Sequence, residues 1–350
     1  MRSGLPTLSA YEAYRHVAGA LLLLGLACGG SANSARRCAY IALIVLSGAA
    51  LEALIIAQQS GGHKLGGAFQ DEQLLAAVLI ILLPFGVAVS VWDPSVGWKR
   101  YGLLALTTAT AALVVTANRS AWLALLPTAL LVFWSISYRR QAKRTPFPAS
   151  KAVIWLAGAT LLVLITLGGG RTGETWRRLQ TLTAYGGEAT YLWREEQWQV
   201  AHRLIEERPV FGWGVGTYAT QLARFDGQSR TAHEILLNGA SLSENAHNSY
   251  LQLGAEVGLP GLLLFLAIPV SIAVGLLRRL RRRCGPLLRL LRYAALAALA
   301  AQAITALANP AWEFAQCSVF QWFIFGFSSL LTREASVDGG NPQEWLEAVR

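Results

Sequence analysis

Charge is what this sequence has least of for its length. Only 14% of its 350 residues are Asp, Glu, Lys or Arg, against about 25% in an ordinary soluble domain. Two packed soluble domains would fit the length but not this composition. Cysteine is equally sparse. Cys28, Cys38, Cys284 and Cys317 lie in apolar segments or a basic stretch, and no Cys-x-x-Cys occurs. That pattern indicates neither a disulfide framework nor a zinc site. Familiar catalytic patterns are missing too. His233-Glu234 lacks the second histidine of a zinc-protease helix, and the Gly212–Gly216 cluster lacks the Lys-Ser/Thr that completes a phosphate loop. No Gly-x-Ser-x-Gly offers a serine nucleophile.

What is present is apolar. Hydrophobic residues make up 54% of the chain, with a mean hydropathy of +0.40. Candidate spans fall at about 16–30, 38–57, 74–92, 101–117, 120–137, 152–168, 249–277, 293–309 and 315–331, each near the length of about 20 residues that crosses a bilayer. The first is not a cleaved signal peptide, because helix after helix follows it. The expected fold is therefore an all-α polytopic membrane protein of about nine transmembrane helices.

The net charge of +10 invites a nucleic-acid reading, but its distribution argues against one. Arg36-Arg37, Lys99-Arg100, Arg139 to Lys151 and Arg278 to Arg292 follow alternate spans, which is the positive-inside pattern of cytoplasmic loops. The N-terminus then lies outside and the C-terminus inside. Four regions follow: N-terminal spans over 1–168, a large external loop over 169–248, C-terminal spans over 249–331 and a cytoplasmic tail over 332–350. In the large loop eight Arg are balanced by nine acids. An amphipathic helix is expected at about 190–207, stopped by Arg208-Pro209 because the residue before Pro disfavours the α region. Gly212-Trp213-Gly214-Val215-Gly216 reads as a turn.

Three features carry chemistry. His247 stands at the outer boundary of the seventh span, and an imidazole with an ordinary pKa near 6.5 suits general-base work. Within that span Ser249, Gln252 and Glu256 form a polar stripe, and Gly254, Gly258 and Gly261 form a stripe suited to close helix approach. A carboxylate inside a span is costly and marks function by default. His247 and Glu256 are nine residues apart, roughly 13 Å along a helix and on opposite faces, so Glu256 pairs elsewhere and Glu244 is the better candidate to orient His247. Arg119 is an isolated cation between two spans on the external side. It reads either as a snorkelling side chain or as an anion ligand, with Glu52 as a possible partner; a guanidinium fork suits phosphate. Arg194 on the loop helix reads alone as a solvated charge. His16, His63, His202 and His233 read as structural.

The run His247-Asn248-x2-Leu251-x4-Glu256-x-Gly258-x2-Gly261 resembles the signature of the O-antigen ligase and O-antigen polymerase superfamily of bacterial membrane proteins. Gly66-Gly67-Ala68-Phe69, Asn118-Arg119-Ser120-Ala121-Trp122 and Arg208-Pro209-Val210-Phe211-Gly212-Trp213-Gly214 resemble its other elements in order and spacing. Two departures stand out: Gln70-Asp71-Glu72 replaces the family's Asn-Pro-Asn, and Asn118 replaces a Ser. The resemblance covers roughly residues 60–330. It implies about a dozen spans with both ends cytoplasmic, so further N-terminal helices are expected ahead of this chain. It also implies the chemistry: a glycan on an undecaprenyl diphosphate carrier is transferred to an acceptor hydroxyl on a glycan, lipid or protein. The reaction takes place at the periplasmic face of the inner membrane, with no metal or other cofactor. His247 would be the general base, Arg119 and Arg194 would hold the diphosphate, and Asn248 and Glu256 would contact substrate. A polymerase of the same superfamily and a small-anion transporter are the competing readings.

Overall fold

The computed structural model describes residues 5–28, 32–59, 71–116, 118–141, 189–222, 245–282 and 284–333. Among these the regular structure is entirely helical: α1 (Leu5–Cys28), α2 (Ala32–Gln59), α3 (Glu72–Trp92), α4 (Val96–Thr116), α5 (Arg119–Gln141), α6 (Ala189–Glu207), α7 (Tyr218–Leu222), α8 (Ser249–Leu280), α9 (Pro286–Thr305) and α10 (Ala315–Arg333). Eight of the nine expected spans fall on these helices. The one at 152–168, with Glu244, His63, His233 and Gly66–Phe69, lies outside the described residues. Four described helices are long and apolar enough to cross a membrane by length and composition: α2, α3, α8 and α9. In α1 and α5 the apolar stretches are shorter, at His16–Cys28 and Arg119–Trp134.

α3 is the axis of the bundle. It is apolar on every side, and a helix of that kind must be enclosed. Eighteen of its residues from Leu74 to Trp92 are buried. It packs on α2, α4, α5, α9 and α10, while α1 lies against α10. Asp71 caps its start by accepting from the Gln73 amide. The outer faces are apolar as well. Leu123, Leu126, Leu130 and Phe133 on α5 are exposed, as are Leu263, Leu264, Val270 and Leu277 on α8. Contiguous exposed apolar surface of this kind meets lipid.

α8 is not one continuous helix. Gly258 has φ +75° and ψ 170°, a conformation that L residues avoid. Pro260 follows, and its missing N–H frees the Glu256 carbonyl. The loop after α6 enters this break. Gly214 N donates to Glu256 O (2.8 Å), Trp213 N to Ala255 O (3.0 Å) and Leu259 N to Pro209 O (2.7 Å). At the tip of the loop Val210 and Phe211 are exposed. The first turns of α8 pack on α6 through a separate small core of Val200, Ala201, Leu204, Tyr218 and Ala255.

The opposite, arginine-rich end is fastened by charge. Asp93, fully buried, pairs with Arg36 (3.0 Å) and accepts from Tyr40 (2.7 Å), tying α2 to the end of α3. Arg292, which reads as a loop residue in the sequence, lies within α9 and is fully buried. It donates to Arg279 O and Leu331 O, each at 3.2 Å. Those carbonyls belong to the last turns of α8 and α10, where regular i+4 donors run out and a cation is favoured; Arg279 O also accepts from Arg282 N (3.1 Å).

Arg292→Met is expected to leave the Leu331 carbonyl without this donor, at about 1–3 kcal/mol, to remove one of the donors to the Arg279 carbonyl, and to lower the thermal midpoint in detergent. Unchanged unfolding would show that the guanidinium contributes nothing there.

Candidate functional site

At the other end of the bundle the starts of α3, α5 and α8 meet α6. The α5 start is built by Asn118. Its Oδ1 accepts from Ser120 Oγ (2.7 Å) and Ala121 N (3.0 Å). An asparagine cap of this kind satisfies the first free amides of a helix. Trp122 Nε1 donates to Leu113 O (3.3 Å), tying the turn to the end of α4. Arg119 is thus the first residue of a capped helix.

α6 delivers Arg194. Its Nη2 reaches Gln73 Oε1 on α3 at 3.5 Å, and its Nε is buried without a hydrogen-bond partner among the described residues. Burial first, then the charge of Arg119, hold the guanidinium below its ordinary pKa, while Asp71 acts the other way. Two like charges kept close and partly out of water favour an anion between them.

His247 completes the group. It has φ +47°, a conformation rare for a non-glycine residue and concentrated at functional sites. Its amide donates to Asn245 Oδ1 (2.9 Å). Burial first, then Arg194, push its pKa down to about 4. The imidazole is therefore neutral at physiological pH. Arg119, Arg194 and His247, distant in sequence, share one electrostatic environment.

The polar stripe on α8 braces this arrangement. Asn248 caps the helix through Oδ1 to Tyr250 N (3.0 Å) and Leu251 N (3.2 Å). Glu256 accepts from Gly216 N (2.8 Å), Tyr218 N (3.3 Å) and Gln252 Nε2 (3.3 Å). Gln252 Oε1 in turn accepts from Ala246 N (3.0 Å), the residue before His247. So Glu256 reaches the His247 turn indirectly, through one glutamine. Its partners include the backbone of the glycine turn, because it precedes the break in α8 and faces the external loop. The glycine stripe also differs from a helix-packing stripe. A Cβ on Gly258 would meet Val210 O at 2.2 Å, and one on Gly212 would meet Glu256 O at 2.4 Å. At Gly261 a Cβ would press on Val257 Cγ2 (2.7 Å) and Cβ (2.9 Å) of the same helix. Gly254 faces Ile205 of α6.

Glu313, between α9 and α10, is a residue the sequence reading passed over. It accepts from Ser249 Oγ (2.9 Å) and Trp312 N (2.9 Å), and burial pushes its carboxyl up to about 7. It is an isolated acid at the same end as Arg119, and that was the available signal. Among the described residues no three His, Cys, Asp or Glu side chains gather as a metal would require.

Gly258→Ala is expected to lose about 2 kcal/mol or more, since left-handed backbone alone costs an L residue about 1–2 kcal/mol and the loop carbonyl must also move. Gly48→Ala, where a Cβ meets nothing within 4 Å, should be nearly silent. Thermal unfolding and limited proteolysis at residues 208–216 would register both, and equal losses would refute the break as the reason for Gly258.

No curated protein matches the chain. Residues 103–266 match the family model described as O-antigen ligase, a stretch that includes Arg119, α6 with Arg194, the glycine turn, His247 and the break in α8. The segment of this integral membrane protein that carries the Arg119, Arg194 and His247 cluster is thus similar to the O-antigen ligase family.

Proposed function

We propose that the protein is a membrane glycosyltransferase acting at the periplasmic face of the bacterial inner membrane. It moves a glycan from an undecaprenyl diphosphate carrier to an acceptor hydroxyl. The observation that carries this reading is the meeting of two mutually repelling arginines with a neutral histidine at one end of the bundle. Arg119 and Arg194 hold the diphosphate. His247 takes the proton of the acceptor hydroxyl as its oxygen attacks the anomeric carbon. The bond from that carbon to the phosphate oxygen breaks, and the diphosphate leaves with the electron pair. Negative charge grows on the leaving group during this step, so preformed cations stabilise the transition state more than the ground state. Asn248 and Glu256, read from the sequence as substrate contacts, act in this scheme by bracing the His247 turn.

A polymerase of the same superfamily would use the same cluster with a glycan acceptor. A small-anion transporter would place its ionisable groups near the membrane midplane, whereas these lie at helix starts.

Glycan transfer in reconstituted vesicles from a lipid-diphosphate oligosaccharide tests the scheme. His247→Ala should lose roughly 10²–10⁴-fold in rate, the usual worth of a positioned base, and Arg119→Ala should raise the KM for the donor and lower kcat. Full activity of His247→Ala would end its assignment as base. Anion flux without transfer would favour the transporter.

The pH profile gives a second test. His247 must be neutral to accept a proton, so kcat/KM should fall only as pH drops through about 4. Arg194→Gln removes a cation that depresses this pKa and should move the acid limb upward. An acid limb that stays put in Arg194→Gln would separate the two residues.

A further inference from the structure

The turn between α9 and α10, which carries Glu313, supplies none of the groups assigned to the transfer itself, yet it fastens both halves of the site. Asn309 is 1% exposed. Its Nδ2 donates to Ser120 Oγ at 2.7 Å, and Ser120 passes its own proton to Asn118 Oδ1 at 2.7 Å. Arg119 stands between those two residues. On the other side the backbone carbonyl of Asn309 accepts from Ser249 Oγ (3.1 Å). That serine also accepts from Ala311 N (3.0 Å), and its amide donates to Ala306 O (2.9 Å). Ser249 is two residues from His247. One short turn therefore holds the helix start that bears Arg119 and the helix start that follows His247.

We propose that Asn309 is a positioning residue for glycan transfer: through Ser120 it sets the Arg119 turn relative to His247, so that the diphosphate and the acceptor hydroxyl are held in register. The proposal rests on the lipid-diphosphate reading above. The direction of the hydrogen bonds explains why an amide is needed. Ser120 has one proton, and it goes to Asn118, so its partner at position 309 must donate. An aspartate there would compete with Asn118 for that proton. Asn309 Oδ1 is buried without a partner among the described residues. The side chain is thus retained for the bond its amide nitrogen makes. Misplacing a binding group by about 1 Å costs on the order of 10²-fold in rate, so a buried strut of this kind has leverage on catalysis without touching substrate.

The test is binding of farnesyl diphosphate to the protein in lipid nanodiscs, measured for wild type, Asn309→Ala, Arg119→Ala and the double variant. Asn309→Ala should weaken binding about tenfold, and the double variant should bind no worse than Arg119→Ala alone. That non-additivity marks two residues acting through one contact, which a general loss of stability would not produce. Asn309→Asp should behave like Asn309→Ala. Ser120→Ala removes the other end of the bond with a smaller change and should give the same non-additivity, so the test survives if Asn309→Ala fails to fold. Wild-type binding by Asn309→Ala, or losses that multiply in the double variant, would overturn the proposal alone. Failure of wild type to bind the probe would overturn the lipid-diphosphate reading and this proposal with it.

Discussion

The rest of the site depends on the three backbone hydrogen bonds that join residues 209–214 to the break in α8. A helix that loses an amide at Pro260 leaves the Glu256 carbonyl without its regular donor, and a buried orphan of that kind is expensive. The chain resolves this by bringing in a loop from elsewhere. Gly258 turns the backbone out of the way, and Gly212 lets the loop approach within contact distance. The loop is covalently continuous with α6, so the same insertion docks the helix that carries Arg194. Trp213 reinforces it, donating to Leu204 O (2.9 Å) under the Arg208 guanidinium (3.9 Å from the ring).

Much of this was legible in the sequence. Arg208-Pro209 ended α6 where the residue-before-proline rule puts the end, and Gly212, Gly214 and Gly216 all adopt the positive φ of a glycine turn. Arg119 and His247 could be singled out because a lone cation or imidazole at that end is not required by topology, whereas Arg194 read alone as a solvated charge and stood out only through the family resemblance. The role of Gly258 was not legible. A helical wheel assumes a continuous helix, and the break exists only because a distant loop fills it. For the same reason Glu256 looked like an intramembrane carboxylate with a helix partner, although it lies before the break and accepts from the Gly216 and Tyr218 amides of the loop after α6. Arg292 was hidden by its neighbours: in a stretch with Arg279, Arg281, Arg282 and Arg289, nothing local distinguishes the one that turns inward.

The two ends of the bundle use charge in opposite ways. At the arginine-rich end the charges are engaged, Asp93 by Arg36 and Arg292 by two helix carbonyls. Such contacts rigidify. At the His247 end the cations face one another, with an acid, Asp71, only partly offsetting them. Stability there comes largely from hydrogen bonds through Asn118, Ser120, Ser249 and Gln252.

The break in α8 also measures depth. About twenty residues separate Gly258 from Arg278, the first arginine of the last turn, and at about 1.5 Å per residue that is about 30 Å, the thickness of a bilayer's hydrocarbon layer. With Arg278 held at one surface, the break reaches the other. α6 is clamped at that break, so the distance of Arg194 from the arginine-rich end is set by a count of helical residues. The helix thereby works as a ruler about one hydrocarbon layer long.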